Sequence, residues 1–373
     1  MSDKEYLTGD PVRGDIEGLS EGAIKEEAPA SIPFKPAMLK NQALLLQRAQ
    51  LAQIAGEPEQ GSVLLESAIR AGGWKASKLW WGMVPLVSGV KDYRRIQNLW
   101  LSSPKACHSH PSVLRAVARA AVVTGHHDES RALLRKLIIL VDSKARLYSA
   151  VASKASKKGE RKFSSNAALA LSDLNQAFSE LGVRAFLISG TLLGKVRENG
   201  IIGWDKDIDV GYFSEECEVD LEACFMRHGK FRLGKVDLTS DRLRLIHVNG
   251  TWIDVFPHYL EGGKRWHDGT ATRWWNMPFE LDQTEFLGIK QYIPDNPELY
   301  LEENYGDWRK PNPFFDARID APNVEVTDPD HFLSLVYFGL ESSIRGGKDE
   351  MRRRYIAILR ERGEGAWLDR VSC

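Results

Sequence analysis

Apolar residues recur at helical spacing from residue 37 to about 157. Three segments of that stretch overlay: AGEPEQGSVLLESAI from Ala55, SGVKDYRRIQNLWL from Ser88 and TGHHDESRALLRKLI from Thr124. Their leading glycines, Gly56, Gly89 and Gly125, lie 33 and 36 residues apart. An apolar stretch precedes each glycine and an amphipathic one follows it, which predicts a repeated helix–turn–helix unit. Pro111 suits the first turn of a helix after Ser109, whereas Pro85 interrupts the first helix of the middle unit. Residues 159–182 read as one helix with Ala167, Leu169, Leu171, Leu174, Ala177, Phe178 and Leu181 on its apolar face and Gly182 as its stop. The period then shortens. A strand is expected at Arg184–Ile188, a brief helix at Leu192–Arg197 after Ser189-Gly190-Thr191, and a turn at Asn199-Gly200.

In the next strand the polar positions are themselves periodic: Asp205, Asp207 and Asp209 alternate with Lys206, Ile208 and Val210, so the three carboxylates share a face. Ser214 is expected to cap a helix through Glu215 to Arg227, which would put Cys217 and Cys224 on one buried face. Asn249-Gly250 between Leu243–Val248 and Thr251–Phe256 predicts a β-hairpin. That hairpin sets Asp254 among apolar strand neighbours, where a carboxylate is costly without a compensating cation or arginine. Beyond Pro257 the chain reads as loop-rich and aromatic, a surface suited to covering a substrate. Two helices close it, near Asp328–Ile344 and Lys348–Arg362, with Met351–Arg354 on a solvated face.

The repeat spacing resembles that of tetratricopeptide repeats, although the aromatic positions of that motif are poorly kept. Such an array can offer a concave surface to a protein partner or can serve as a helical buttress, and the sequence weighs these equally. Trp80, Trp81 and Trp100 are expected in its core. Residues 1–36 read as a disordered tail, with four prolines, four glycines and eight acidic against four basic side chains. The domain expectation is therefore a tail over 1–36, a helical domain over 37–157 and a catalytic domain over 158–373.

Composition narrows the function classes. The 373 residues balance 50 basic against 51 acidic side chains, which argues against a general nucleic-acid or membrane-surface binder. No apolar run approaches the ~18 residues of a spanning helix, and no signal-type block opens the chain. Four scattered cysteines without a CxxC argue against a disulfide framework or a structural zinc site. A cytoplasmic location, peripheral to a membrane at most, is the resulting expectation.

Stacked carboxylates at 205, 207 and 209 admit two readings, a divalent cation between them or a solvated edge strand. The glycine turn upstream favours the first, because a glycine turn feeding a helix start presents backbone N–H groups to a phosphate. A strand, a Gly-Thr turn, an Asp-x-Asp and a later aspartate together form the signature of the nucleotidyltransferase fold. The fold class expected is thus α+β: a mixed-sheet catalytic domain preceded by an all-α helical-repeat domain.

Particular residues narrow this further. Gly190-Thr191-Leu192-Leu193-Gly194, Arg197, Ile202 and Trp204-Asp205-Lys206-Asp207-Ile208-Asp209 resemble the LicD/fukutin family, as do Ile253-Asp254-Val255-Phe256-Pro257 and Tyr305-Gly306-Asp307-Trp308. The resemblance covers roughly residues 165–320 and departs from the family pattern at Lys195 and Gly203. It implies transfer of a phosphorylated alcohol, such as phosphocholine or an alditol phosphate (glycerol or ribitol phosphate), from a CDP-activated donor to a sugar hydroxyl of a glycan or lipid-linked saccharide, with CMP leaving. By motif position Asp207, Asp209 and Asp254 would hold Mg²⁺, or Mn²⁺ in its place. Asp254 or Asp205 would take the acceptor's proton. Gly190 and Thr191 would approach the pyrophosphate through backbone and hydroxyl, with Lys195 and Arg197 binding its charge, unless either cation simply pairs with Asp205 or Glu198. His258 is an acceptor-side candidate or a structural histidine. Two other readings compete: nucleotide transfer to a protein or small molecule on the same fold, and a repeat-containing adaptor with a degenerate transferase domain.

Overall fold

The computed structural model describes residues 41–145, 160–203, 205–234 and 240–371. The expected tail, Trp204 and Cys373 lie outside them. Two compact units emerge: one takes the described residues up to 145 together with Leu333 onward, the other those from 160 to Phe332.

The first unit is helical. Helices α1 (Gln42–Ile54), α2 (Pro58–Arg70), α3 (Ser77–Met83), α4 (Val90–Leu101), α5 (Pro111–Val122) and α6 (His127–Asp142) follow one another. The three overlaid glycines fall between α1 and α2, α3 and α4, and α5 and α6, as the repeat predicted. Gly56 and Gly125 turn at φ of 77° and 79°, in the left-handed region that glycine adopts without penalty. Pro85 stands in a short 3₁₀ segment, Val84–Leu86, that ends α3 after seven residues. Trp80 and Trp100 are buried, and Trp81 is half-buried.

Two further helices, Pro329–Gly346 and Asp349–Glu361, lie where the sequence expected them. The second, and all but the first turn of the other, belong to this helical unit and not to the catalytic domain expected to run to 373. The reason is electrostatic as well as apolar. Glu341, fully buried, pairs with Arg115, and Arg135 reaches Tyr337 and Glu364. Arg352, from the stretch expected to be a solvated face, is itself buried against Asp142. Charges placed this way are costly to leave unpaired, so they bind the two segments to each other.

The second unit is built on a ten-stranded mixed sheet. Helix α7 (Glu160–Glu180) leads in and ends at Gly182, φ 72°. It buries Ala167, Leu171, Leu174, Ala177 and Phe178, while Leu169 stays exposed. Then come β1 (Phe186–Leu187), α8 (Ser189–Glu198), β2 (Asp207–Phe213), α9 (Leu221–Arg227), β3 (Phe231–Leu233), β4 (Leu243–His247) and β5 (Trp252–Glu261). The expected single helix from Glu215 to Arg227 is instead a 3₁₀ turn, Ser214–Glu216, followed by α9. Asp220, whose carboxylate accepts from Ala223 N–H at 2.9 Å, starts the helix there, so Cys217 lies outside it.

The stretch after Pro257, expected to be loop-rich, is mostly sheet. Strand β5 runs on to Glu261, and β6 (Lys264–Asp268), β7 (Thr272–Asn276), β8 (Leu281–Phe286) and β9 (Ile289–Pro294) follow. Gly262-Gly263 and Leu287-Gly288, all with positive φ, make the tight turns. Helices α10 (Pro297–Tyr305) and α11 (Ala317–Asp320) and strand β10 (Val324–Val326) complete the unit. Strands run in the order β10-β7-β6-β5-β2-β1-β9-β8, with β4 also on β5 and β3 on β4. Strand β2 is parallel to β5 and antiparallel to β1. Alternation along β2 sends Ile208 and Val210 into the core and leaves Asp207 and Asp209 on the other face.

Candidate active site

Strand register assembles the carboxylates. Asp209 is the neighbour of Asp254 across the parallel β2–β5 pair, and Arg244 stands opposite Asp254 across the antiparallel β4–β5 pair. A row Asp209–Asp254–Arg244 therefore crosses three strands. Oxygens of Asp207, Asp209 and Asp254 lie within 4.8 Å of one another. Asp254 is buried, and its carboxylate accepts hydrogen bonds from Nε and Nη2 of Arg244 and, at 2.8 Å, from Nη1 of Arg242. Arg244 Nη2 also comes to 3.9 Å from Asp207 Oδ2. Of the two compensations open to Asp254 in the sequence, the arginine one is in place, and two further carboxylates lie close by.

Helix α8 borders the aspartates at its amino end. Ile188, its N-cap, is apolar and gives no side-chain cap. A Cβ on Gly190 would stand 2.6 Å from Asp205 Oδ2, so glycine is what lets this carboxylate approach the first turn of the helix. Thr191 is buried, and its hydroxyl accepts the N–H of Asp209 at 2.9 Å. That bond ties the Thr191 hydroxyl to the aspartate strand. Lys195 donates to Asn199 Oδ1 at 3.0 Å near the far end of α8 and does not line the cavity described next. Arg197 does line it. Its guanidinium donates to Glu198, 2.8 Å, and to the carbonyl of Trp308, 3.2 Å.

A cavity of about 580 Å³ opens over this corner. Ser189, Gly190, Asp205 and Asp209 form one side of it, and Phe256, His267, Trp274, Tyr305, Trp308 and Phe315 supply aromatic walls. Its volume falls within the roughly 300–1,000 Å³ usual for small-molecule sites. The segment from Asn304 to Ala317, within the stretch after Pro257, supplies much of the cavity lining.

The carboxylates carry uncompensated charge. Burial pushes Asp205 up to about 7, helped by the neighbouring Asp207. Burial and the charge of Asp254 raise Asp207, with Arg244 opposing. Burial, then Asp207, Asp205 and Asp254, raises Asp209 well above the ordinary carboxylate range. Convergent oxygens under mutual repulsion are a donor set that fits a hard divalent cation, which takes oxygen ligands. Asp207, Asp209 and Asp254 would hold it, Asp254 exchanging an arginine contact for the ion.

His258 is structural. It is fully buried, its Nδ1 pairs with the carbonyl of Phe256 at 3.2 Å, and burial drives its pKa down to about 3. A Cβ on Gly211 would press on its Cε1 at 2.6 Å, which shows how closely the ring is held. Arg242, Arg244 and His267 were not among the expected site residues. The arginines had a signal: Arg242 and Arg244 alternate with apolar residues just before the Asn249-Gly250 turn, so hairpin register brings them to Asp254. His267 had none, because its place in the wall depends on the pairing of β6 with β7.

A glycine turn at a helix start, paired aspartates on the next strand and a third aspartate on a parallel neighbour form the arrangement expected of a nucleotidyltransferase-fold domain. Residues 182–296 match the family model described as LicD/FKTN/FKRP, nucleotidyltransferase domain. The chain is similar to the ribitol-5-phosphate transferase FKTN of Mus musculus, 34% identical over 160 residues that make up 40% of this chain and 34% of that protein. The FKTN of Homo sapiens is 32% identical over the same shares. Ribitol 5-phosphate transferase FKRP of Homo sapiens is 27% identical over 145 residues, 35% of this chain and 29% of that protein. The chain spans about a third of the length of the FKTN proteins it matches.

Proposed function

We propose that this protein is a metal-dependent transferase moving a phosphorylated alcohol, phosphocholine or an alditol phosphate such as ribitol phosphate, from a CDP-activated donor to a sugar hydroxyl of a surface glycan. The observation that carries the reading is the convergence of Asp207, Asp209 and Asp254 oxygens within 4.8 Å beside a cavity of small-ligand size. The names of the FKTN and FKRP relatives support the transferred group as a pentitol phosphate.

Mg²⁺ or Mn²⁺ at the three aspartates would neutralise the donor's pyrophosphate. The amino end of α8 lies beside the same corner and favours anionic phosphate oxygens. The acceptor oxygen attacks the phosphorus bearing the alcohol, the bond to the CMP oxygen breaks, and the acceptor's proton passes to a carboxylate. Asp205 is our choice for that base over Asp254. Asp205 lines the cavity with a pKa raised to about 7, whereas both oxygens of Asp254 accept from arginine. Among the described residues no helix is long and apolar enough to cross a membrane. A cytoplasmic enzyme working at the membrane periphery on lipid-linked saccharide is the corresponding proposal for its place of action.

The test is CMP release from CDP-ribitol, CDP-glycerol and CDP-choline by the purified protein, with Mg²⁺ or with EDTA and a saccharide acceptor. We expect release only with metal, and none from Asp209→Asn. Metal-independent release, or full turnover by that variant, would overturn the site. Nucleotide appearing on the acceptor would shift the reading to nucleotidyl transfer.

A further inference from the structure

Strands β5, β6 and β7 carry a row of aromatic side chains on the face turned away from the catalytic cavity. His267 and Trp274 line that cavity, and alternation sends their neighbours Trp266 and Trp275 to the opposite side of the sheet. Register sets Tyr259 opposite Trp266 and Trp266 opposite Trp275. Ring centroids lie 4.4 Å apart in the first pair and 6.1 Å apart in the second. All three side chains are half-buried. Adjacent strands stand about 4.8 Å apart, so the row is roughly 10 Å long.

Each ring ends on a carboxylate. The Tyr259 hydroxyl donates to Asp241 at 3.0 Å, Trp266 Nε1 to Glu261 at 3.0 Å and Trp275 Nε1 to Glu325 at 2.8 Å. Asp241, Glu261 and Glu325 are exposed. An ionised carboxylate accepts several hydrogen bonds, so acceptor capacity remains at the tip of every ring. Packing across strands accounts for the Tyr259–Trp266 pair. It does not account for Trp275, which borders an open groove of about 750 Å³ together with Glu261, Glu303 and Asn323.

Charge and shape select the occupant. The carboxylates of Asp241, Glu261, Asp268 and Glu325 outnumber the cations Lys264 and Arg273 around the row, which disfavours a phosphate polymer or an anionic membrane. A cationic ligand finds its place taken. The Arg273 guanidinium lies 3.6 Å from the Trp266 centroid and 5.6 Å from that of Trp275, and donates to Asp268 at 2.9 Å. What suits the face is a neutral ligand that lays C–H groups on a ring and offers hydroxyl donors to the carboxylates beside it. A sugar ring does both, with C–H bonds on one face and hydroxyls around its rim.

We infer that the outer face of β5, β6 and β7 is a second binding site, a platform for a neutral oligosaccharide centred on Trp275 and continued by Trp266 and Tyr259. It rests on the proposed glycan acceptor, and it holds a part of that acceptor remote from the reacting hydroxyl.

The test is saturation-transfer NMR and titration calorimetry with neutral trisaccharides of glucose, galactose, mannose and N-acetylglucosamine and with a lysine-rich peptide, in EDTA and without donor. Proteins compared are the wild type, Trp275→Ala, Glu325→Gln and Asp209→Asn, each checked for folding by circular dichroism. Wild type should bind at least one trisaccharide. Trp275→Ala should lose about tenfold or more and Glu325→Gln about three- to tenfold, while Asp209→Asn binds as wild type does. Glu325 is exposed, so its variant carries the test if Trp275→Ala does not fold. Binding of no trisaccharide overturns the platform, and so does binding that Glu325→Gln and folded Trp275→Ala leave unchanged. Loss of binding in Asp209→Asn would place the sugar in the catalytic cavity, and tighter binding of the peptide would give the face to a protein; either overturns it. Absence of CMP release from every CDP-alcohol would strike the proposed function and leave these binding results standing, so the two failures are distinguishable.

Discussion

Replacing Arg244 with methionine tests whether the arginines hold the carboxylate row together. Asp254 has a side chain 3% exposed, and Arg244 supplies two of the three hydrogen bonds it accepts. Breaking a buried pair by removing one partner costs about 3–5 kcal/mol, and a hydrogen bond to a charged group is worth about 1.5–3. Arg242 stays in place and Arg244 is itself 25% exposed, so the lower part of that range applies, roughly 2–4 kcal/mol. For a domain of 150–250 residues this is a fall in Tm of roughly 5–15 °C. The measurement is scanning calorimetry in EDTA and then in Mg²⁺. An ion replaces the lost positive charge, so the variant should gain more from Mg²⁺ than wild type does, narrowing the gap. A variant that melts with wild type in EDTA, or gains no more from Mg²⁺, would refute the argument that these arginines balance the aspartates.

Other outcomes follow from the same geometry. Asp207→Ala should abolish transfer while leaving the far-ultraviolet circular dichroism unchanged, since the residue is half-buried and lies off the core face. Gly190→Ala should lower turnover about tenfold or more by displacing Asp205, whose Oδ2 stands 2.6 Å from the new methyl, with pyrophosphate binding a separate check on the helix start. Asp205, Asp207 and Asp209 have pKa values raised in the folded chain, so the fold binds more protons than the unfolded state between the ordinary carboxylate range and about 7. Metal-free stability should therefore be greatest at the acid end of that window and fall as pH rises through it; urea titrations at pH 5.5 and 8 in EDTA check the sign. His258→Leu should cost stability through packing and leave the metal dependence of turnover unaltered, measured as rate against Mg²⁺ concentration.

Much of this site was legible because its chemistry is local. Asp207 and Asp209 share a strand face by simple alternation, Gly190 stands in the turn before a helix, and Asn249-Gly250 announces the hairpin that brings in Asp254. What escaped depends on partners distant in sequence. Thr191 accepts from Asp209 N–H, eighteen residues away, a bond that no motif position reveals. Lys195 lies two residues before Arg197 in the same helix, yet only Arg197 reaches the cavity wall. The meander after Pro257 was hidden by its composition: β6 and β7 are rich in Arg, His, Asp and Trp, so alternation of apolar with polar residues is blurred. The assignment of Leu333 onward to the helical unit follows from buried ion pairs such as Arg115–Glu341, between residues more than two hundred positions apart.

The turn Asn249-Gly250 has more authority over the chemistry than its distance from the ligands suggests. It is fastened to α7, Asn249 and Asn166 exchanging side-chain-to-carbonyl hydrogen bonds of 2.8 and 3.3 Å, and His247 beside it pairs with Asp173 at 2.9 Å. The pairing of β5 with β2 holds Asp254 on the ligand face, so a one-residue slip of β4 against β5 at this turn would send Arg242 and Arg244 to the opposite face. Loop length at 249–250 thus sets whether the arginines meet Asp254, without altering any residue of the carboxylate row.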